Sequence, residues 1–201
     1  MTFYEIAILY KGVRSKTDSF QKIYTNKGDN MKSLKQYTLA GIIFVIIVGS
    51  IWHFVYEWSG NNFIVGFFFP VNESTWEHMK LLFFPMLIYS FYMRAKLKET
   101  YPCITSALSF GILLGTVSIP ILFYTYTGIL GFHTTVFDIA TFIVSVLITF
   151  YVTYTFTLTS KLNFCYPFLT FGIVAFAVCF FMFTYFPPAL GIFTQYSNSY
   201  P

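Results

Sequence analysis

Charged side chains are scarce in this sequence. Asp, Glu, Lys and Arg make up 10% of the 201 residues, whereas 56% are hydrophobic and 27 are phenylalanine. A soluble domain carries about a quarter charged residues. The composition therefore argues against an ordinary water-soluble protein and predicts an integral membrane protein, whose main partner is the lipid bilayer. The basic residues are few and joined to an apolar body, which also argues against nucleic acid as a partner.

Cysteine is equally rare. Cys103, Cys165 and Cys179 are expected to be small packing residues, so no disulfide framework is predicted. The first 30 residues lack the apolar core of a cleavable signal peptide. The sequence also shows no Gly-rich phosphate loop, no Cys–His zinc spacing and no serine–histidine nucleophile motif. The function has to be sought in other features.

Long apolar segments dominate what is present. A helix needs about 20 apolar residues to cross a bilayer. The predicted fold class is therefore an all-α, polytopic membrane bundle of about five transmembrane helices. The predicted spans are Tyr37–Trp58, Thr75–Ala95, Cys103–Tyr126, Thr135–Leu158 and Tyr166–Phe186. Within the third, Ala107, Gly111 and Gly115 recur every four residues, and this face of small residues predicts close helix packing.

Basic residues are distributed unevenly, which predicts an orientation. Seven of the 12 Lys and Arg precede residue 36. With a cytoplasmic N-terminus and five spans, these seven lie inside together with Arg94, Lys96, Lys98 and Lys161, and only Lys80 lies outside. We therefore expect a cytoplasmic N-terminus and an extracytoplasmic C-terminus.

Three regions follow from this topology. Residues 1–34 are expected to form a poorly ordered cytoplasmic arm, unless Met31 is the true start. Residues 35–188 form the five-span bundle, and residues 189–201 form a short extracytoplasmic tail. The apolar stretch "SGNNFIVGFFFP" between the first two spans is too short to cross again, and it predicts a re-entrant or interfacial segment that acts as a lid.

All three histidines fall on the outer half of this topology, at the ends of predicted spans. Ionisable groups at such positions usually pair or face water. His53 and Glu57 are four residues apart on one helix face, so they would ligate one metal ion, act as a proton-transfer pair, or simply fix helix packing. The sequence leaves these three interpretations open.

Two further helix starts carry a histidine and a carboxylate. Ser74 and Glu77 have the spacing of a capping box, and Lys80 is placed to pair with Glu77. Thr135 and Asp138 repeat that spacing near His133. Capping explains part of both patterns but leaves His78 and Asn72 unexplained, which predicts a shared polar site.

The motifs "HFVYEWSGNN", "PVNESTWEHMKLLFFP", "YTYTGILG" followed by "DIATF", and "FTYFPP" resemble an uncharacterised family of small polytopic membrane proteins from low-GC Gram-positive bacteria. This resemblance covers roughly Lys32–Pro188, and it implies a bacterial plasma-membrane protein but no established activity or substrate. The motif "NESTWEH" is also similar to one in the membrane hydrolases that include alkaline ceramidases and adiponectin-type receptors. That likeness implies a zinc site, and only His78 and Ser74 of this chain correspond to residues of that site. This chain lacks the paired histidines that those hydrolases have in their last helix.

Three functional hypotheses remain. The first is an outward-facing intramembrane enzyme, a metal-dependent lipid or amide hydrolase, with a divalent metal such as zinc as its cofactor. The second is a proton-coupled transport component, which requires an oligomer or partner. The third is a non-enzymatic scaffold, sensor or accessory subunit. The assigned residues are His53, Glu57, Glu73 and His78 for catalysis, Asn72, Trp76 and Asp138 for substrate contact, and His53, His78 and His133 for metal binding.

Overall fold

A computed structural model describes residues 3–159, 162 and 166–195, with side chains from residue 28 onward. Lys161, Cys165 and residues 196–201 of the predicted tail lie outside the described residues. The chain divides into two units, Met1–Tyr37 and Thr38–Pro201, and the features that follow belong to the second. The helices are α1 (Phe3–Trp58), α2 (Phe63–Gly66), α3 (Thr75–Leu97), α4 (Ile104–Leu130), α5 (Thr135–Thr159) and α6 (Tyr166–Tyr185), followed by a 3₁₀ turn at Gly191–Phe193.

The predicted all-α fold class is confirmed. Across the residues that the structure describes, no strand forms, and the only bridge of strand type joins Ser74 to Gln195. Four of the five predicted spans coincide with a helix to within a few residues, and the first, Tyr37–Trp58, is the last part of α1. The predicted boundary at residue 34 falls inside α1, which is continuous from Phe3. The division into arm, bundle and tail stays a prediction.

Four of the described helices are long and apolar enough to cross a membrane: the Gly28–Trp58 part of α1, and α4, α5 and α6. The prediction was five spans. The difference is α3, which is not among these four helices. That helix has 23 residues but contains Glu77, Lys80, Arg94 and Lys96, and 15 of its residues are buried. Glu77 and Lys80 are buried among other helices, whereas Arg94 and Lys96 are exposed near the end of α3. The buried part of α3 therefore lies inside the bundle, where its low hydropathy is tolerated.

The close packing predicted for the third span is confirmed at the contact of α4 with α5. A Cβ atom on Gly111 would collide with Thr153 Oγ1, and one on Gly115 would collide with Thr149 Oγ1. The Thr149 hydroxyl donates to Ser145 O at 2.8 Å within its own helix. Only glycine lets the two backbones approach this closely.

A second close approach brings α1 onto α3. A Cβ atom on Gly49 would lie 2.6 Å from Leu81 O, so a larger residue would push the two helices apart. One turn from Gly49, toward the end of α1, is His53. One turn from Leu81, toward the start of α3, is His78. The glycine contact therefore sets the distance between the two histidines.

The segment between α1 and α3 is folded onto neighbouring helix ends. Asn62 Oδ1 caps α2 by accepting from Ile64 N at 2.9 Å. Tyr185 of α6 donates to Phe63 O at 2.6 Å, and Trp52 Nε1 of α1 donates to Phe68 O at 3.0 Å. These contacts fix a short apolar segment, in agreement with the prediction that it does not form another crossing.

Candidate metal centre

Three ionisable side chains meet where α1 ends and α3 begins. His53 lies in the last turns of α1, Glu73 lies just before α3, and His78 lies in the first turns of α3. Glu73 Oε2 is 3.4 Å from His53 Nε2 and 3.3 Å from His78 Nε2. The two imidazole rings have centroids 5.4 Å apart. We call this group the His53–Glu73–His78 cluster.

Local hydrogen bonds hold the loop that carries Glu73. Asn72 Oδ1 accepts from Ser74 N at 2.9 Å, and Ser74 Oγ accepts from Glu77 N at 3.4 Å. Ser74 therefore caps α3, as its spacing to Glu77 predicted. The reciprocal half of the capping box is absent from these contacts, because the Glu77 carboxylate accepts from Val71 N at 3.0 Å instead.

The imidazole of His78 is oriented by the backbone. Its Nδ1 lies 2.9 Å from Ser74 O, and a carbonyl oxygen only accepts, so Nδ1 carries a proton. Nε2 then faces a carboxylate oxygen, which is also an acceptor. This contact is favourable only with a second proton on the imidazole or with a cation between Nε2 and Glu73. A backbone carbonyl that fixes Nδ1–H is the usual arrangement for a histidine that ligates metal through Nε2.

The carboxylate of Glu73 is stabilised in its charged form. Hydrogen bonds from His53 and then His78 hold the pKa of Glu73 well below its usual range, against a smaller opposing effect of burial. The side chain remains 63% exposed, so the cluster is open on this side. The predicted lid over the cluster is wrong in that respect, because the segment between α1 and α3 leaves Glu73 uncovered.

The geometry suits a divalent cation. One ligand atom from each of the three residues can be chosen so that all lie within 4.8 Å of one another. Two donors bound to tetrahedral zinc at about 2.0–2.1 Å are separated by about 3.3 Å. Both nitrogen–oxygen distances in the cluster, 3.4 and 3.3 Å, are close to this value.

A second polar group lies where α4 ends and α5 begins. Asp138 accepts from the Tyr126 hydroxyl through one oxygen, and His133 Nδ1 lies 3.2 Å from the other. The residue that caps α5 is Thr134, whose hydroxyl accepts from Phe137 N, so the prediction that Thr135 has this role is wrong. Asp138 is near enough for its charge to act on His78. His133 is not one of the three residues of the cluster.

A third polar group is sealed inside the bundle one turn further along α3. The Lys80 side chain is 0% exposed and that of Glu77 is 2% exposed. Lys80 Nζ donates to Glu77 Oε2 at 2.7 Å, Gly66 O at 3.0 Å and Thr184 Oγ1 at 2.6 Å. An ammonium group has three donors, and all three are used. The predicted pairing of Lys80 with Glu77 is confirmed, and we call this group the Lys80–Glu77 network.

Three other predicted site residues are not among the three residues of the cluster. Glu57 is exposed on the last turn of α1. Trp76 is buried against the rings of Phe180 and Phe193, which makes it a core residue of the bundle. Asn72 supports the turn before α3.

Sequence reasoning missed Thr184, Gly66 and Tyr126. Thr184 is one of many threonines in apolar helices, and its importance comes from a contact with a residue 104 positions away. Tyr126 is likewise one of 16 tyrosines. Only Gly66 had a signal in the sequence, because it is a glycine within an apolar segment. In the structure, a Cβ atom at this position would collide with the Tyr185 hydroxyl.

A family model described as "Family of unknown function (DUF6512)" matches residues 26–200, and the chain belongs to this family. The match covers all three polar groups and every helix from the apolar part of α1 onward. No curated protein and no solved structure matches the chain. The Gram-positive origin and the likeness to ceramidase-type hydrolases stay predictions.

Proposed function

We propose that this member of the DUF6512 family is a membrane hydrolase that uses one zinc ion, held by His53, Glu73 and His78. Two histidines and one glutamate, with a fourth position left for water, form the ligand set of several zinc hydrolases. Bound zinc lowers the pKa of its water to about 7, which supplies a hydroxide nucleophile at neutral pH.

The observation that carries this proposal is the pair of contacts from one Glu73 oxygen to two imidazole nitrogens, at 3.4 and 3.3 Å. Both separations equal the ligand–ligand distance of a tetrahedral zinc site, about 3.3 Å. The Nδ1–H of His78 is already committed to Ser74 O, which leaves Nε2 for metal. The exposure of Glu73 leaves room for water and substrate on the open side.

The finer topology belongs to the same proposal. We propose that α3 also crosses the membrane, which gives five spans in total. The cluster then lies on the outer side of a bacterial plasma membrane, with a cytoplasmic N-terminus. Lys80 was the one basic residue that the positive-inside rule left outside. Its charge is buried and paired with Glu77, so it does not act as a free charge that opposes this orientation. The substrate is then a lipid or small molecule that reaches the outer surface.

The first test is metal content. We expect one zinc per chain by elemental analysis of wild-type protein purified without chelators. His78→Ala should lose the zinc, whereas His133→Ala should keep it, since His133 lies in the other polar group. Zinc-free wild-type protein, or equal loss from both variants, would contradict the proposal and favour a scaffold.

The second test is hydrolysis itself. Zinc-loaded protein is incubated with vesicles of bacterial total lipid, and products are identified by mass spectrometry. We expect water-soluble head-group products or free fatty acids that disappear after chelation and return with zinc. Wild-type protein that binds zinc but releases no product above the His78→Ala background would argue against hydrolysis of these lipids.

A further inference from the structure

We propose that Glu77, held by Lys80, is a positioning residue that fixes the Glu73 loop for metal binding. This inference rests on the proposed zinc site. Glu73 is 63% exposed and has no buried surroundings to hold it between the two imidazoles. The position of Glu73 must therefore be fixed by the backbone on either side of it.

The upstream side of the loop is held by the Glu77 carboxylate. Glu77 Oε2 accepts from Val71 N at 3.0 Å, and Val71 is two residues before Glu73. The same oxygen accepts from Lys80 Nζ at 2.7 Å. Since Lys80 and Glu77 are sealed from solvent, this oxygen has a fixed position, and so has the backbone of Val71.

The downstream side is held by two shorter-range contacts. Asn72 Oδ1 accepts from Ser74 N, and Ser74 Oγ accepts from Glu77 N. Glu73 is therefore placed between two anchored neighbours. Glu77 contributes to both anchors, through its carboxylate upstream and its backbone N–H downstream.

A purely structural role for the Lys80–Glu77 network is the competing explanation. Buried ion pairs are often no more stabilising than apolar residues of the same volume. This pair would then join α2, α3 and α6 through Gly66 and Thr184 and have no effect on the metal. The two explanations differ in whether zinc affinity of the folded protein depends on the Val71 contact.

The test measures zinc affinity with a competing chelator, well below the unfolding midpoint of each variant. The double variant Glu77→Met with Lys80→Met removes the acceptor of Val71 N–H without leaving a buried charge. We expect its zinc affinity to fall about 10- to 100-fold, as for other residues that support metal ligands. Thr184→Val is the matched control, because it removes the contacts of Thr184 with Lys80 and with Glu77 Oε1 but leaves the contact of Glu77 Oε2 with Val71 N. Its zinc affinity should stay within about twofold of wild type.

Two variants of the part-exposed residue Asn72 allow a test even if the double variant does not fold. Asn72→Ala removes one of the two downstream contacts and should weaken zinc binding about tenfold, whereas Asn72→Asp keeps an acceptor oxygen and should restore the binding. Wild-type zinc binding with no change in the double variant and in Asn72→Ala would overturn the positioning role alone. Absence of zinc from the wild-type protein would overturn both this role and the proposed function.

Discussion

The eight residues from Glu73 to Lys80 contain two acid–base groups with opposite surroundings. Glu77 and Lys80 are sealed, and each donor of the ammonium has a protein acceptor. Glu73 and His78 face an open side, and their partner His53 comes from another helix. The comparison shows that the buried ammonium finds all its hydrogen-bond partners within the protein. The more open cluster of one carboxylate and two imidazoles can still bind a proton or a metal ion.

The largest expected effect comes from removing one residue of the buried Lys80–Glu77 pair, which leaves the other without its counter-charge. Lys80→Met should lower the free energy of unfolding by about 3–5 kcal/mol, because Glu77 would remain buried without a counter-charge. The double variant Glu77→Met with Lys80→Met should be destabilised less than Lys80→Met alone. Unfolding in mixed detergent micelles, followed by circular dichroism, provides the measurement. A double variant less stable than Lys80→Met would show that this region is not governed by charge burial.

Removing a ligand from the open cluster should affect metal binding and hardly affect folding. We expect His53→Ala to weaken zinc binding on the order of 100-fold, since one of three protein ligands is lost. The unfolding midpoint of the metal-free protein should change little, because His53 is only partly buried. Calorimetric zinc titration and thermal unfolding give the two values. Equal losses of stability in His53→Ala and Lys80→Met would remove the contrast between the two groups.

A smaller effect depends on pH. The pKa of Glu73 is lowered in the folded protein by hydrogen bonds from His53 and His78. Its stabilising contribution is therefore present above the ordinary pKa of glutamate, about 4.3, and is lost as the pH falls below that value. At pH 5.5 the metal-free wild type should be more stable than Glu73→Gln by about 1 kcal/mol or less, since Glu73 is 63% exposed. A difference that grows below pH of about 4 would contradict the assignment.

The smallest effect is expected at Glu57. This residue is exposed and apart from the cluster, although its spacing to His53 made it a predicted site residue. Glu57→Gln should change the free energy of unfolding by less than about 0.5 kcal/mol. Zinc affinity should be unchanged within the error of the titration. A marked loss of zinc would return Glu57 to the site.

Local sequence patterns predicted the features that depend on local contacts. The helices followed from apolar length, the cap at Ser74 followed from its spacing to Glu77, and the small-residue face of α4 followed from its period of four. The pairing of Lys80 with Glu77 was predicted for the same reason, since residues three apart on a helix are neighbours.

Long-range contacts were beyond such patterns. His53 was paired with Glu57 because four residues separate them, but its partner is Glu73, 20 positions away, which a crossing of α1 and α3 at Gly49 brings close. His133 was grouped with the other histidines because all three lie at helix ends on one side. The structure pairs His133 with Asp138, its neighbour five residues along the chain, and the cluster of three possible metal ligands does not include it.

X-ray absorption at the zinc edge tests the central claim most directly, because it reports the ligands of the bound ion. The account predicts a first shell of nitrogen and oxygen at about 2.0–2.1 Å, with scattering from two imidazole rings. In His78→Ala, measured with enough added zinc to occupy the weakened site, the imidazole signal should fall to one ring. A shell that contains sulfur, or an imidazole signal that His78→Ala leaves unchanged, would contradict the claim that His53, Glu73 and His78 bind one metal together.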